Sequence, residues 1–142
     1  MKIFVLNGPN LNMLGKREQQ HYGISTLAEI ETNVRKAFPN VSFEFFQSNL
    51  EGEIVKTIHK VINGDFDALI SNFGAYTHTS VAIRDALCML TLPKIEVHLS
   101  NIHARENFRK KTLTGEVSDG IISGFGATSY VLGVYAAMAL AE

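Results

Sequence analysis

The most reactive side chains of this sequence gather in one short run, where Glu96, His98 and Ser100 alternate with apolar residues. Such alternation places all three side chains on one face of a β-strand. A carboxylate beside an imidazole can fix its tautomer and stabilise its protonated form, which is what a general acid requires. The alternative interpretation is that His98 is a hydrogen-bonded histidine at a strand end, without a part in any reaction.

Cations and a phenol lie before and after this run. Arg105 and Arg109 are four residues apart, which predicts one face of a short helical turn. A solvated charged face is the ordinary interpretation, but after the His98 strand the pair could bind a carboxylate or hydroxyl groups of a substrate. Residues 10–23 form a long predicted loop that carries Arg17 and Tyr22. Arginines near Tyr22 would favour tyrosinate, a base that can take a weakly acidic proton; otherwise Tyr22 is simply an exposed residue.

A third polar segment begins at Asn72, where another predicted strand ends. Gly74 and Ala75 stand beside a helix start, and backbone N–H groups there suit an anion. The segment is too short to be a phosphate-binding loop. Asn72 could be no more than a turn former, and His78 could be an ordinary residue leading into the helix.

Regular elements must bring these segments together. Short apolar runs predict five strands, at Lys2–Leu6, Val41–Gln47, Ala68–Ser71, Ile95–Leu99 and Ile121–Ser123. Helices are predicted after a capping box at Thr26 to a stop at Pro39, after Ser48-x-x-Glu51, over Thr79–Leu90 and from about Thr128 to Leu140. Alternating strands and helices are typical of an α/β fold. We expect a single flavodoxin-like catalytic domain over residues 1–142, with three layers and a doubly wound parallel sheet in the order 2-1-3-4-5.

Several functional classes are disfavoured by composition and motifs. A net charge of −1 gives no reason to expect nucleic acid or an anionic membrane. No targeting pattern or membrane-spanning run is present, and a lone Cys88 favours a reducing compartment, so a soluble, cytoplasmic protein is expected. Asn7, Asn10 and Asn72 stand where a magnesium-binding receiver domain needs carboxylates. There is no HExxH, GxGxxG or P-loop motif, so neither a metal nor a nucleotide cofactor is expected.

Three long motifs resemble those of the type II 3-dehydroquinate dehydratases. They begin at Asn7 (NGPNLNMLGKRE), Asn72 (NFGAYTHTSVAIRD) and Glu96 (EVHLSNIHARENFR), and the similarity covers essentially the whole chain. Phe73 stands where the family is expected to have Pro or Ala, which affects the backbone near Gly74 but removes no reacting group. The resemblance implies a lyase (hydro-lyase) that needs no cofactor. It would carry out the anti elimination of water from 3-dehydroquinate to 3-dehydroshikimate through an enolate.

The resemblance also implies a role for each matching catalytic residue. Tyr22 would be the base that takes the proton alpha to the ketone, and Arg17 would favour tyrosinate and stabilise the enolate. Asn10 would hold a water on the enolate oxygen. His98 would protonate the departing hydroxyl, with Glu96 orienting its ring.

The remaining matched positions would bind substrate or a partner. The substrate carboxylate would lie on Asn72 and the Leu99–Ser100 segment, and ring hydroxyls on His78 and Arg109. Asp85 would reach the site of a neighbouring subunit, because the family is a homododecamer built as a tetramer of trimers. The pathway would be the shikimate route to chorismate and the aromatic amino acids, or quinate catabolism. A flavodoxin-like binding or regulatory module that holds a small anion without turnover is the alternative.

Overall fold

Five parallel strands form one sheet in the order β2-β1-β3-β4-β5 in a computed structural model that describes residues 1–142. The strands are β1 Lys2–Asn7, β2 Ser42–Gln47, β3 Ala68–Asn72, β4 Lys94–His98 and β5 Gly120–Ser123. The predicted strand order is confirmed. The order reverses between β1 and β3, so the carboxyl ends of these strands open a crevice where doubly wound folds bind their ligands.

Six helices connect and cover the strands: α1 Gln19–Tyr22, α2 Leu27–Ala37, α3 Glu51–Ile62, α4 Tyr76–Thr79, α5 Val81–Cys88 and α6 Thr128–Ala141. The predicted capping box begins α2. Thr26 Oγ1 accepts the backbone N–H of Glu29 at 3.2 Å, and the Glu29 carboxylate accepts the N–H of Thr26 at 2.9 Å. The reciprocal bonds satisfy two of the N–H groups that a helix start leaves free.

Alternation along the buried strands divides the core into two layers. In β1, Ile3 and Val5 face α2 and α6, whereas Phe4 and Leu6 face α3 and α5. The same rule applies to β4, where Ile95 and Val97 pack toward α6. Glu96 and His98, which alternate with these two residues, therefore face the opposite side of the sheet, toward α5.

Two local predictions need correction. The predicted helix Thr79–Leu90 is shorter in the structure, as α5, and the separate short helix α4 precedes it; the backbone of Ser80 between the two is extended (φ −94°, ψ 100°), and its hydroxyl accepts the N–H of Ile83 as the N-cap of α5. The predicted loop 10–23 is also partly regular, since it contains the 3₁₀ turn Leu11–Met13 and the helix α1. Both differences arise from local hydrogen bonds, which the hydrophobic periodicity of the sequence does not reveal.

The final helix α6 lies under the sheet, with Tyr130, Val134 and Ala137 fully buried. Tyr135 and Leu140 on the same helix are exposed. The helix is therefore apolar on two faces. One face packs against the core, and the other is exposed in the single chain. No helix of the chain combines the length and hydropathy needed to cross a bilayer.

Candidate active site

A cavity of about 110 Å³ opens at the carboxyl ends of β1, β3 and β4. All site residues predicted from the sequence line it, except Glu96 and Asp85: Asn10, Arg17, Tyr22, Asn72, Gly74, Ala75, His78, His98, Leu99, Ser100, Arg105 and Arg109. Pro9, Leu11 and Ile102 complete the wall. Three strand ends and the 10–23 segment therefore meet at one place, as the parallel topology requires.

Glu96 lies directly behind the cavity and is fully buried. Its Oε1 lies 2.6 Å from Nε2 of His98, so the ring donates its Nε2–H to the carboxylate. That bond fixes the tautomer and leaves Nδ1 without a partner in the protein. The contact orients the ring and leaves Nδ1 as the nitrogen that can exchange a proton with a molecule in the cavity.

The second oxygen of Glu96 has a partner that sequence reasoning missed. Thr114 Oγ1 donates to Glu96 Oε2 at 2.5 Å, and Thr77 Oγ1 lies 2.9 Å from Thr114 Oγ1. Both threonines are fully buried. Thr114 lies in a segment without regular period, between two 3₁₀ turns, so no pattern in the sequence marks it.

Tyr22 ends α1 and lies between two guanidinium groups. Arg105 Nη1 donates to the Tyr22 hydroxyl at 2.7 Å and to Ser100 Oγ at 3.3 Å. The guanidinium of Arg17 stacks over the ring, 3.8 Å from its centre. The cation that touches the phenol oxygen is thus Arg105, which the sequence had suggested only for substrate binding.

The two later arginines do not share one helical turn, contrary to the prediction. Arg105 is extended (φ −116°) after the 3₁₀ turn Ile102–Ala104, and Arg109 belongs to the next 3₁₀ turn, Asn107–Lys110. Both still line the cavity. The exposed Glu106 carboxylate accepts from Arg109, and this contact holds the pKa of Glu106 below its usual range.

Asn72 is held by a buried network. Its Nδ2 donates to the Tyr130 hydroxyl at 3.1 Å, its Oδ1 accepts the N–H of Gly74 at 3.2 Å, and Tyr130 donates to Asn7 Oδ1 at 2.6 Å. Burial raises the pKa of Tyr130 far above its ordinary value, so its hydroxyl remains a donor. Gly74 has a positive φ of 57°, and a Cβ there would lie 3.0 Å from the Pro9 carbonyl. The network fixes the amide of Asn72 and leaves one N–H of its Nδ2 without a partner in the protein.

His78 is the second imidazole of the cavity. Its Nδ1 donates to the carbonyl of Lys111 at 2.7 Å, and its ring stacks on His98 with centroids 6.4 Å apart. Partial burial is the main cause that lowers the pKa of His78, and the nearby His98 and Arg109 add to it. His78 is therefore neutral at pH 7, with Nε2 as a free hydrogen-bond acceptor.

Asp85 and Phe73 lie away from the cavity. Asp85 is exposed on α5, with Arg84 Nη1 3.7 Å from its carboxylate, so within one chain it reaches no site residue. Phe73 is fully buried against the α3–α5 layer of the core, and its backbone carbonyl lies where a Cβ on Gly8 would stand, at 2.5 Å. No three of the His, Cys, Asp and Glu side chains gather in a way that would hold a metal ion.

Known proteins share both the sequence and the architecture of this chain. The family model described as Dehydroquinase class II matches residues 1–138. A protein of Pelodictyon phaeoclathratiforme named 3-dehydroquinate dehydratase is 49% identical over 99% of this chain and 93% of its own. A protein of the same name from Thermotoga neapolitana is 54% identical over 93% of this chain and 90% of its own.

A solved structure has the same fold. The crystal structure titled type II dehydroquinase from Butyrivibrio crossotus superposes with a TM-score of 0.95 at 40% identity, covering 97% of each chain. Likeness in sequence and fold thus extends over nearly the full length of the protein, including the three motifs that line the cavity. The chain belongs to the class II dehydroquinase family.

Proposed function

We propose that this chain removes water from 3-dehydroquinate to form 3-dehydroshikimate through an enolate, in the shikimate pathway or in quinate breakdown. One observation carries the proposal. A phenol held by a guanidinium and an imidazole backed by a buried carboxylate line the same small cavity. A base and an acid on one substrate are what an elimination of water requires.

In the first step, Tyr22 acts as tyrosinate and takes the proton from the carbon alpha to the ketone. The electron pair of the C–H bond moves to the ketone oxygen and forms the enolate. Arg105 at the phenol oxygen and Arg17 over the ring place two positive charges beside this base. Asn10 holds a water on the enolate oxygen, and Arg17 adds positive charge near it.

In the second step, the enolate oxygen re-forms the carbonyl, the electron pair at the alpha carbon forms the new carbon–carbon double bond, and the bond from the neighbouring carbon to the departing hydroxyl breaks. His98 donates its Nδ1 proton to that oxygen, which leaves as water. The bond from Nε2 to Glu96 stabilises the imidazolium before the transfer and orients the ring during it. Each proton that is removed or added therefore has a named donor and acceptor.

Substrate recognition is assigned to the rest of the wall. The carboxylate lies on the free N–H of Asn72 and on the Leu99–Ser100 segment, close to the Gly74–Ala75 turn. Nε2 of the neutral His78 accepts a ring hydroxyl, and Arg109 donates to another.

The assembly is part of the same proposal. Residues 1–142 form one catalytic domain, twelve copies assemble as four trimers, and Asp85 enters a neighbour's site in the cytoplasm. The exposed position of Asp85 and the apolar outer face of α6 support this arrangement. Light scattering on the purified protein measures the assembly, and a monomer at working concentration would contradict it.

The activity is tested by the rise in ultraviolet absorbance as 3-dehydroquinate becomes a conjugated enone. Tyr22→Phe and His98→Ala should each lower kcat by about 10³-fold or more, because each removes a proton-transfer group. Full activity of Tyr22→Phe would place the base elsewhere. Binding of the substrate by the unaltered chain without any rise in absorbance would favour the passive anion-binding module.

A further inference from the structure

We propose that Thr114 is a positioning residue of the acid site: its hydroxyl, itself oriented by Thr77, holds the Glu96 carboxylate in place against His98. The inference rests on the proposed function, because it assigns His98 the role of acid. It adds to that function two threonines that do not line the cavity and cannot touch substrate.

The direction of each hydrogen bond in the chain follows from the groups present. An ionised carboxylate only accepts, so Glu96 Oε1 takes the Nε2–H of His98 and Oε2 takes the single hydroxyl hydrogen of Thr114. Thr114 Oγ1 then has no hydrogen left, and it accepts from Thr77 Oγ1. The chain runs from Thr77 to Thr114 to Glu96 to His98 with every donor used once.

Backbone contacts fix the position of Thr114 independently of the carboxylate. The N–H of Leu113 donates to the carbonyl of Thr77 at 2.8 Å, and Ser118 Oγ donates to the carbonyl of Thr114 at 2.9 Å. The first bond joins the 112–118 segment to α4, the second holds the turn that follows Thr114, and neither involves a charged group. The Thr114 hydroxyl is therefore preorganised, and it does not have to be ordered by Glu96.

A buried carboxylate needs such a donor. Glu96 has no exposure to water, so the only partners for its two oxygens are His98 and Thr114. Without the Thr114 hydroxyl, Oε2 would be unpaired, and the carboxylate would turn away from His98 or bind a proton itself. Either change removes the group that orients and charges the acid.

Thr114→Val tests the proposal, since valine keeps the shape and removes the hydroxyl. We expect kcat to fall about tenfold to a hundredfold, with KM changed by less than about twofold, because a hydrogen bond to a charged group is lost away from the substrate. Thr114→Ser restores the hydroxyl and should keep kcat within about threefold of the unaltered enzyme. An unaltered kcat in folded Thr114→Val would overturn the positioning role.

The same substitution in a variant that lacks the Glu96 carboxylate separates a positioning role from a general loss of structure. In Glu96→Gln, Thr114→Val should lower kcat by less than about twofold further, because Thr114 acts through the carboxylate that is already gone. A full additional loss in that background would show that Thr114 acts by another route and would refute the proposal.

Two further cases need separate treatment: an unaltered chain without activity, and a Thr114→Val variant that does not fold. If the unaltered chain does not turn over 3-dehydroquinate, the proposed function and this inference fail together; turnover with an unaffected Thr114→Val overturns this inference alone. If Thr114→Val does not fold, Thr77→Val is measured in both backgrounds. It should lower kcat about threefold or more by leaving the Thr114 hydroxyl unoriented, and only when Glu96 is present. Equal kcat in Thr77→Val and the unaltered enzyme would then overturn it.

Discussion

Replacing Tyr130 by Phe should lower stability and weaken substrate binding while leaving the acid and the base intact. The change removes one oxygen that is fully buried under the sheet. Asn7 Oδ1 then loses its donor and Asn72 Nδ2 loses its acceptor, and both side chains are buried. The amide of Asn72 is no longer held in the orientation that its proposed contact with the substrate carboxylate requires.

The magnitude follows from those two lost bonds. A buried polar group left without a partner costs about 1–3 kcal/mol, so the two together should cost about 2–6 kcal/mol. For 142 residues the entropy of unfolding near the midpoint is about 0.3 kcal/mol/K. Tm should therefore fall by about 7–20 °C, and KM should rise by about tenfold with a smaller change in kcat.

Calorimetry at fixed protein concentration measures Tm, and the absorbance assay measures KM and kcat. Tyr22→Phe is the matched control, because it removes the same atom from the tyrosine at the cavity. It should lose kcat with little change in Tm, since Arg105 keeps Ser100 as a partner. A Tm within about 1 °C of the unaltered protein in Tyr130→Phe would refute the reasoning about the buried network.

Three further outcomes are expected. Arg109→Ala should raise KM more than it lowers kcat, because the contact proposed for Arg109 is made to the substrate in the ground state as well as in the transition state; a larger effect on kcat than on KM in steady-state kinetics would give Arg109 a role in the transition state alone. Burial lowers the pKa of His78, so its ring is neutral in the native state while the unfolded chain takes up a proton as pH falls below about 6.5. Between about pH 7.5 and pH 5.5, His78→Asn should therefore lose less Tm than the unaltered protein, and an equal loss in both would contradict this. Gly8→Ala should destabilise the protein by about 2 kcal/mol or more in urea unfolding, because its Cβ would meet the carbonyl of Phe73 at 2.5 Å; an unchanged midpoint would show that the turn relaxes.

Regular elements were predictable because their signals are local. The capping box at Thr26 and Glu29 lies within one helical turn, and its bonds form as predicted. The alternation of Glu96, His98 and Ser100 likewise placed an acid and its carboxylate on one face of β4. The short helix α4 was not predicted, because its four residues Tyr76–Thr79 are too few to show a hydrophobic period, and the extended Ser80 separates it from α5.

The composition of the cavity wall was also predictable, but its internal contacts were not. Parallel topology brings the carboxyl ends of β1, β3 and β4 to one edge, so polar residues after those strands had to meet there. Arg105, which was expected to bind substrate, lines the cavity and also donates to Tyr22, 83 residues away in the chain. No periodicity relates two such positions.

The sequence by itself determined which chemical groups are present, the order of the strands and the edge of the sheet where the reactive side chains lie. The tertiary structure alone decided which group holds which: Thr114 on Glu96, Tyr130 between Asn7 and Asn72, and Arg105 on Tyr22. The physical reason is the distance along the chain over which each interaction acts. Periodicity and capping act over a few residues, whereas these bonds form only after separate segments have packed and lost water around their polar groups.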